Sequence, residues 1–122
     1  MESTSPFNNA YLRFLRLVSA AEGHTGGQDL DANEKALFEA LALRWSQGEP
    51  MTVREAIHLD HLGSPATLHK RLQRLIEKKL VSTQGIENDR RTKLLVISAQ
   101  GQDYIDWLGR QFDQVNAAGA RG

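Results

Sequence analysis

Cysteine is absent from this chain, which excludes disulfides, thiolate metal sites, cysteine nucleophiles and thiol-based redox sensing. No apolar run approaches the roughly 20 residues that a membrane-crossing helix needs. The opening residues, Met1 to Pro6, are polar and acidic and resemble no secretion signal. These absences lead to the expectation of a cytoplasmic protein with no membrane partner. There is also no glycine-rich phosphate loop, no supported Ser/His/Asp set and no paired carboxylates in a site context. Asp103 and Asp106 fall on the polar side of the last apolar stripe, as solubility residues do. No enzymatic activity, cofactor or metal site is expected.

Excess charge is missing too, because the 15 basic and 15 acidic residues cancel. The distribution is uneven. Between Ser64 and Lys93 lie eight basic residues (Lys70, Arg71, Arg74, Lys78, Lys79, Arg90, Arg91 and Lys93) against Glu77, Glu87 and Asp89. That segment is +5 and the remainder −5. A molecule polarised in this way can present one cationic face to phosphate while its far side stays acidic.

What is present is mostly helical periodicity. Phe7, Tyr11, Phe14, Leu15 and Val18 recur at helical spacing, which predicts a first helix from about Phe7 to Ala21. Leu12 and Leu17 widen its apolar surface. Gly23 to Gly27 reads as a connector. A second helix starts near Asp31 or Asn33, either of which can accept from first-turn amides. It buries Leu37, Phe38, Leu41 and Trp45 and ends at Gln47 to Pro50. Thr52 caps a short third helix with Val53, Ala56 and Ile57 inward, although Leu59 and Leu62 do not continue its stripe. Gly63 turns the chain, Ser64 caps a fourth helix, and Pro65 occupies the first helical position, where a missing N–H is harmless.

In that fourth helix, 64–79, Leu68, Leu72, Leu75 and Ile76 form the apolar side. At about 100° per residue, Ala66, Lys70, Gln73 and Arg74 point the opposite way, flanked by Thr67 and His69. Beyond Lys79 the period falls toward two. Leu80 to Ile86 and Thr92 to Ile97 are predicted strands joined by Glu87-Asn88-Asp89-Arg90-Arg91. Ser98 caps a last helix bearing Tyr104, Ile105, Leu108, Phe112 and Val115, and 116–122 is expected to fray. The predicted class is mainly α with a small β-hairpin wing. Residues 1–28 form a helix and linker, 29–98 a winged helix–turn–helix core, and 99–122 a closing helix and tail.

A helix–turn–helix places its second helix in the major groove of a duplex. The free amides and dipole at that helix's start favour phosphate, and Ser64 and Thr67 add hydroxyl donors. Lys70 and Arg74 reach bases or backbone, Arg74 with the option of pairing guanine bidentately. Gln73 can read adenine. Arg90 and Arg91, with Lys93 behind them, supply a second grip on the flanking backbone or minor groove. Asp89 has an orienting task, pairing with Arg91 or a nearby backbone amide. The alternative for this tip is a polar turn whose arginines serve solubility. His58, His61 and His69 are expected to contact phosphate or solvent rather than metal, and their protonation below about pH 6.5 would add positive charge.

From Asp31 to about Gly101 the sequence resembles the winged helix–turn–helix core of the MarR family of bacterial transcription regulators. The matching pieces are Thr52-Val53-Arg54-Glu55-Ala56, Ser64-Pro65-Ala66-Thr67-Leu68, Leu75 to Val81, the wing tip Asp89-Arg90-Arg91, and Ile97-Ser98-Ala99-Gln100-Gly101. The resemblance implies a homodimer that binds double-stranded DNA and regulates transcription, as a repressor, with N- and C-terminal helices forming the dimer. Three departures stand out: Lys79 replaces a usual glycine, Thr83 replaces a frequent arginine, and 58–63 fits the spacing poorly. Trp45 and Trp107 are expected in core or dimer interface. Independently of the family, Phe7, Leu12, Leu17, Trp107 and Phe112 together make a patch suited to self-association. A small-molecule effector leaves no signature in these residues. Two other readings stay open, a winged-helix protein-interaction module and a nonspecific architectural DNA-binding protein.

Overall fold

A computed structural model describes residues 9–21 and 30–121. Phe7 and the Gly23 to Gly27 connector lie outside the described residues, as do the Val18 and Val115 side chains. The element order is α1 (Ala10–Ala21), α2 (Ala32–Ser46), α3 (Val53–Ile57), a 3-10 helix (Asp60–Leu62), α4 (Pro65–Glu77), β1 (Val81–Ile86), β2 (Asp89–Ile97) and α5 (Ala99–Arg121). The chain divides into two compact units. One runs from Leu30 to Gln102, and the other holds α1 and α5 from Asp103 onward.

In the first unit the helices begin where short polar side chains replace the missing amide partners. Asp31 Oδ1 accepts from the Glu34 amide at 2.7 Å, and Glu34 Oε1 accepts from the Asp31 amide at 3.0 Å. Thr52 and Glu55 repeat this reciprocal cap on α3, with both bonds at 3.0 Å. Each such box satisfies two otherwise orphaned donors. The Thr52 amide bond, set against slight desolvation, holds the Glu55 carboxyl below its ordinary value.

The core gathers Leu37, Phe38 and Leu41 of α2, Ala56 of α3, Leu68, Leu72 and Leu75 of α4, and Leu80, Val81, Leu95 and Ile97. Burying each large aliphatic side chain contributes about 1.5–3 kcal/mol. Trp45, expected in the buried stripe, is only half-buried, since so large a ring at a helix's last turn is seldom fully enclosed. A third, single-residue rung joins the hairpin: Thr52 bridges Leu94, and the Leu95 amide donates to Met51 O at 2.7 Å. Thr52 thereby caps α3 and docks the hairpin's base at once.

In the second unit Tyr11, Leu12, Phe14 and Leu15 of α1 are exposed, as is Phe112 of α5. Leu17 and Trp107 are half-buried. α5 continues through Arg121, past the small polar residues expected to fray. Among the described residues no helix is long and apolar enough to cross a membrane.

Candidate nucleic-acid interface

The lead-in to α4 is built from two short pieces instead of one helix. α3 stops after Ile57, a 3-10 turn covers Asp60–Leu62, and Gly63 follows at φ 152°. This explains why Leu59 and Leu62 fall off the α3 stripe. From α4, the Arg71 guanidinium donates to Leu62 O at 2.7 Å and ties the turn down. Ser64 then caps α4: its hydroxyl accepts from the Thr67 amide at 3.3 Å and donates to Thr67 Oγ1 at 2.9 Å.

α4 is shorter than the 64–79 span expected from sequence. It ends at Glu77, with Lys78 as the cap residue and Lys79 in the left-handed region at φ 62°. The Leu80 amide returns to Leu75 O at 3.1 Å and the Lys79 amide to Ile76 O at 2.9 Å. This is a Schellman closure with lysine where glycine is usual. Leu75 and Leu80, the two apolar residues such a closure brings together, are both fully buried. His69, Lys70, Gln73 and Arg74 are exposed along the opposite side, beside exposed Ser64 and half-buried Thr67.

The wing corrects a second expectation. The five residues 87–91 do not form a loop: Glu87 and Asn88 make the turn, Asn88 at φ 67°, and β2 already begins at Asp89. β1 pairs antiparallel to β2 from Val81↔Ile97 to Gly85↔Lys93, after which Ile86 pairs with Asp89. Arg90, Arg91 and Thr92 therefore bulge from the ladder. Asp89 Oδ1 accepts from the amides of Arg91 at 3.0 Å and Thr92 at 3.1 Å, supplying partners that the bulge takes from the ladder. The Thr92 hydroxyl and these two amides hold the Asp89 carboxyl below its ordinary value. Arg90, Arg91 and Lys93 are exposed, and the Lys93 chain passes over Gly85.

No family model and no curated protein matches the sequence. Solved structures do match. MepR of Staphylococcus aureus in complex with DNA aligns at TM-score 0.65 and 14% identity, over 87% of this chain and 81% of that one. The transcriptional regulator Tm0710 of Thermotoga maritima aligns at 0.63 and 17%, over 88% and 76%. S. aureus MarR in complex with salicylate and kanamycin aligns at 0.59 and 18%, over 88% and 67%. The chain has the MarR-type winged-helix fold.

Within the MarR-type fold, the sequence-derived residues divide into two groups. Ser64, Thr67, His69, Lys70, Gln73 and Arg74 share α4, whereas Arg90, Arg91, Lys93 and Asp89 share the hairpin. His58, exposed at the end of α3, folds back along that helix, Nδ1 lying 2.7 Å from Arg54 O. Among the described residues no group of histidines and carboxylates is placed to hold a metal ion. Sequence reasoning counted Arg71 and Lys78 simply as part of the cationic segment. Both are half-buried, Arg71 on the turn and Lys78 Nζ 2.9 Å from Glu34 Oε1. A signal existed, since on the helical wheel Arg71 lies only about 40° from Leu75.

Proposed function

We propose that this chain is a sequence-specific, double-stranded-DNA-binding regulator of transcription, acting as a homodimeric repressor. α4 enters the major groove, and the hairpin grips the flanking backbone or minor groove. One observation carries the reading: Lys70, Arg74, Arg90, Arg91 and Lys93 are all exposed, and among the described residues none has a carboxylate partner. Five unneutralised cations on a helix and the adjoining wing suit a polyanion better than solvent alone. Thr67 and Ser64 suit the phosphate at the helix start, with His69, Gln73 and Arg74 addressing base edges. Asp89 orients the wing by holding its bulge. The DNA held by MepR supports the reading by likeness of fold. A small-molecule effector is compatible with it, given the salicylate bound to S. aureus MarR.

Selection from random duplexes at two salt concentrations tests the proposal. The expected product is a near-palindrome with half-sites about one helical turn, ~34 Å, apart. Replacing Lys70 or Arg74 with alanine should cost about 1–3 kcal/mol and relax preference at one position. Arg90→Ala and Arg91→Ala should weaken all sequences alike and lower the salt slope by about 0.9 each. Binding without any enriched sequence would indicate an architectural protein. No binding at low salt would indicate a protein-interaction module.

A further inference from the structure

The cations of α4 do not all face the same way. Lys70 and Arg74 point to solvent, whereas Arg71 and Lys78 turn inward and spend their charge inside the protein. Arg71 donates to Leu62 O in the turn before α4. Lys78, the cap residue at the other end, reaches Glu34 in the first turn of α2.

The Glu34 contact is an unusual one. Among the described residues Glu34 is the one charged residue that is buried, at 3% exposure. Its Oε1 serves both Lys78 Nζ and the Asp31 amide, while its Oε2 is buried with no hydrogen-bond partner among the described residues. A buried carboxylate half left without partners is a poor source of stability, since desolvation offsets most of the attraction. Well-packed apolar residues would serve stability as well or better. What the pair does provide is direction: it fixes where the end of α4 lies along α2.

The same end is held from the other side of the chain. Lys78 O accepts from Gln100 Nε2 at 3.4 Å, and Lys79 O accepts from Ser98 Oγ. Arg71 does the corresponding work at the start, where a side chain on Gly63 would come within 3.2 Å of its Nη1. Both ends of α4 are thus pinned by half-buried cations whose charged groups are engaged within the protein.

We infer that Arg71 and the Glu34–Lys78 pair are positioning residues for sequence reading, setting the pose of α4 from which Lys70, Gln73 and Arg74 reach bases. This rests on the proposed DNA-binding function. It divides the α4 cations into two classes with different signatures. Loss of an outward cation removes a direct DNA contact and relaxes preference at one position, whereas loss of an inward clamp lowers discrimination with the salt slope unchanged.

The test uses the full chain, the selected duplex and a scrambled duplex of equal length. Glu34→Gln is the most discriminating variant, because it removes a buried negative charge and touches nothing outside. Simple electrostatics would make it bind all DNA slightly more tightly. The clamp instead predicts that Glu34→Gln, Lys78→Met and Arg71→Met each lower the selected-to-scrambled affinity ratio about tenfold, the scale of one mismatched base pair. Their salt slopes on the scrambled duplex should match the parent, and Lys78→Arg should restore most of the ratio. Circular dichroism and thermal melts identify any variant that fails to fold, and the decision then rests on Lys78→Arg and Glu34→Gln. An unchanged ratio overturns the inference. So does a slope lowered by about 0.9 in Arg71→Met or Lys78→Met, which marks a phosphate contact. If the parent selects no sequence, the proposed function falls separately. Amide exchange in the free protein then decides the clamp, which requires the Leu68 and Leu80 amides to exchange at least about tenfold faster in the variants. Unchanged exchange there would overturn it.

Discussion

Two residues at the junction of α4 and α5 show opposite relations between side chain and backbone. Lys79 occupies a left-handed position at φ 62° that disfavours a β-carbon, and its cap is otherwise complete. Lys79→Gly should therefore raise stability by about 1 kcal/mol, read as a higher melting temperature with unchanged secondary structure. Gly101 is the reverse case. A β-carbon there would lie 2.2 Å from Leu80 O and 2.8 Å from Ile97 Cγ2, and the backbone atom cannot yield as a flexible side chain would. Gly101→Ala should destabilise by about 1–3 kcal/mol or more, despite alanine's better helix propensity, and chemical denaturation would measure it. Ser98 explains the close approach, since its hydroxyl takes the Gly101 amide at 3.1 Å while donating to Lys79 O.

Among the elements, the wing has a pH dependence with a definite sign. Asp89 holds its bulge as a carboxylate, and its pKa is lowered by the Thr92 hydroxyl and the Arg91 and Thr92 amides. A group whose folded value is depressed contributes fully above its unfolded value, and the contribution disappears as pH falls through the lowered one. The bulge should accordingly persist at neutral pH and loosen only below the ordinary aspartate value of 3.8. Amide chemical shifts of Arg91 and Thr92 should titrate there together, and Asp89→Asn, whose amide does not ionise, should abolish that titration. This element also shows where sequence reading stops. α4 was legible because Leu68, Leu72 and Leu75 repeat at helical spacing, and β1 and the end of β2 because their apolar period is two. The first residues of β2 carry no such pattern. Asp89, Arg90 and Arg91 are all exposed, and their order comes from a side chain substituting for ladder partners. Likewise, the DNA-facing candidates could be enumerated from charge, but the inward turn of Arg71 and Lys78 depended on Leu62 O and Glu34, which no spacing rule connects to α4.

For the molecule as a whole, the proposed homodimer is tested through the apolar surface of α1 and α5. Tyr11, Leu12, Phe14, Leu15 and Phe112 are all exposed, and apolar side chains exposed together suit association. Light scattering at micromolar concentration should return twice the 13.6 kDa chain mass. Leu12→Glu with Phe14→Glu should shift it to the monomer while leaving the spectrum of the Leu30–Gln102 unit intact. A monomeric parent would remove the homodimer from the proposed function. The Met51–Leu95 hydrogen bond has a further consequence, for the order in which that unit folds. It closes a loop containing all of α3, α4 and β1. The entropy of closing so long a loop must be met before its contacts are rewarded. The helices can form on their own timescale, but docking the hairpin's base on Met51 and Thr52 waits for them. That docking should therefore be the latest step in the folding of this unit, after the locally closed helices and hairpin.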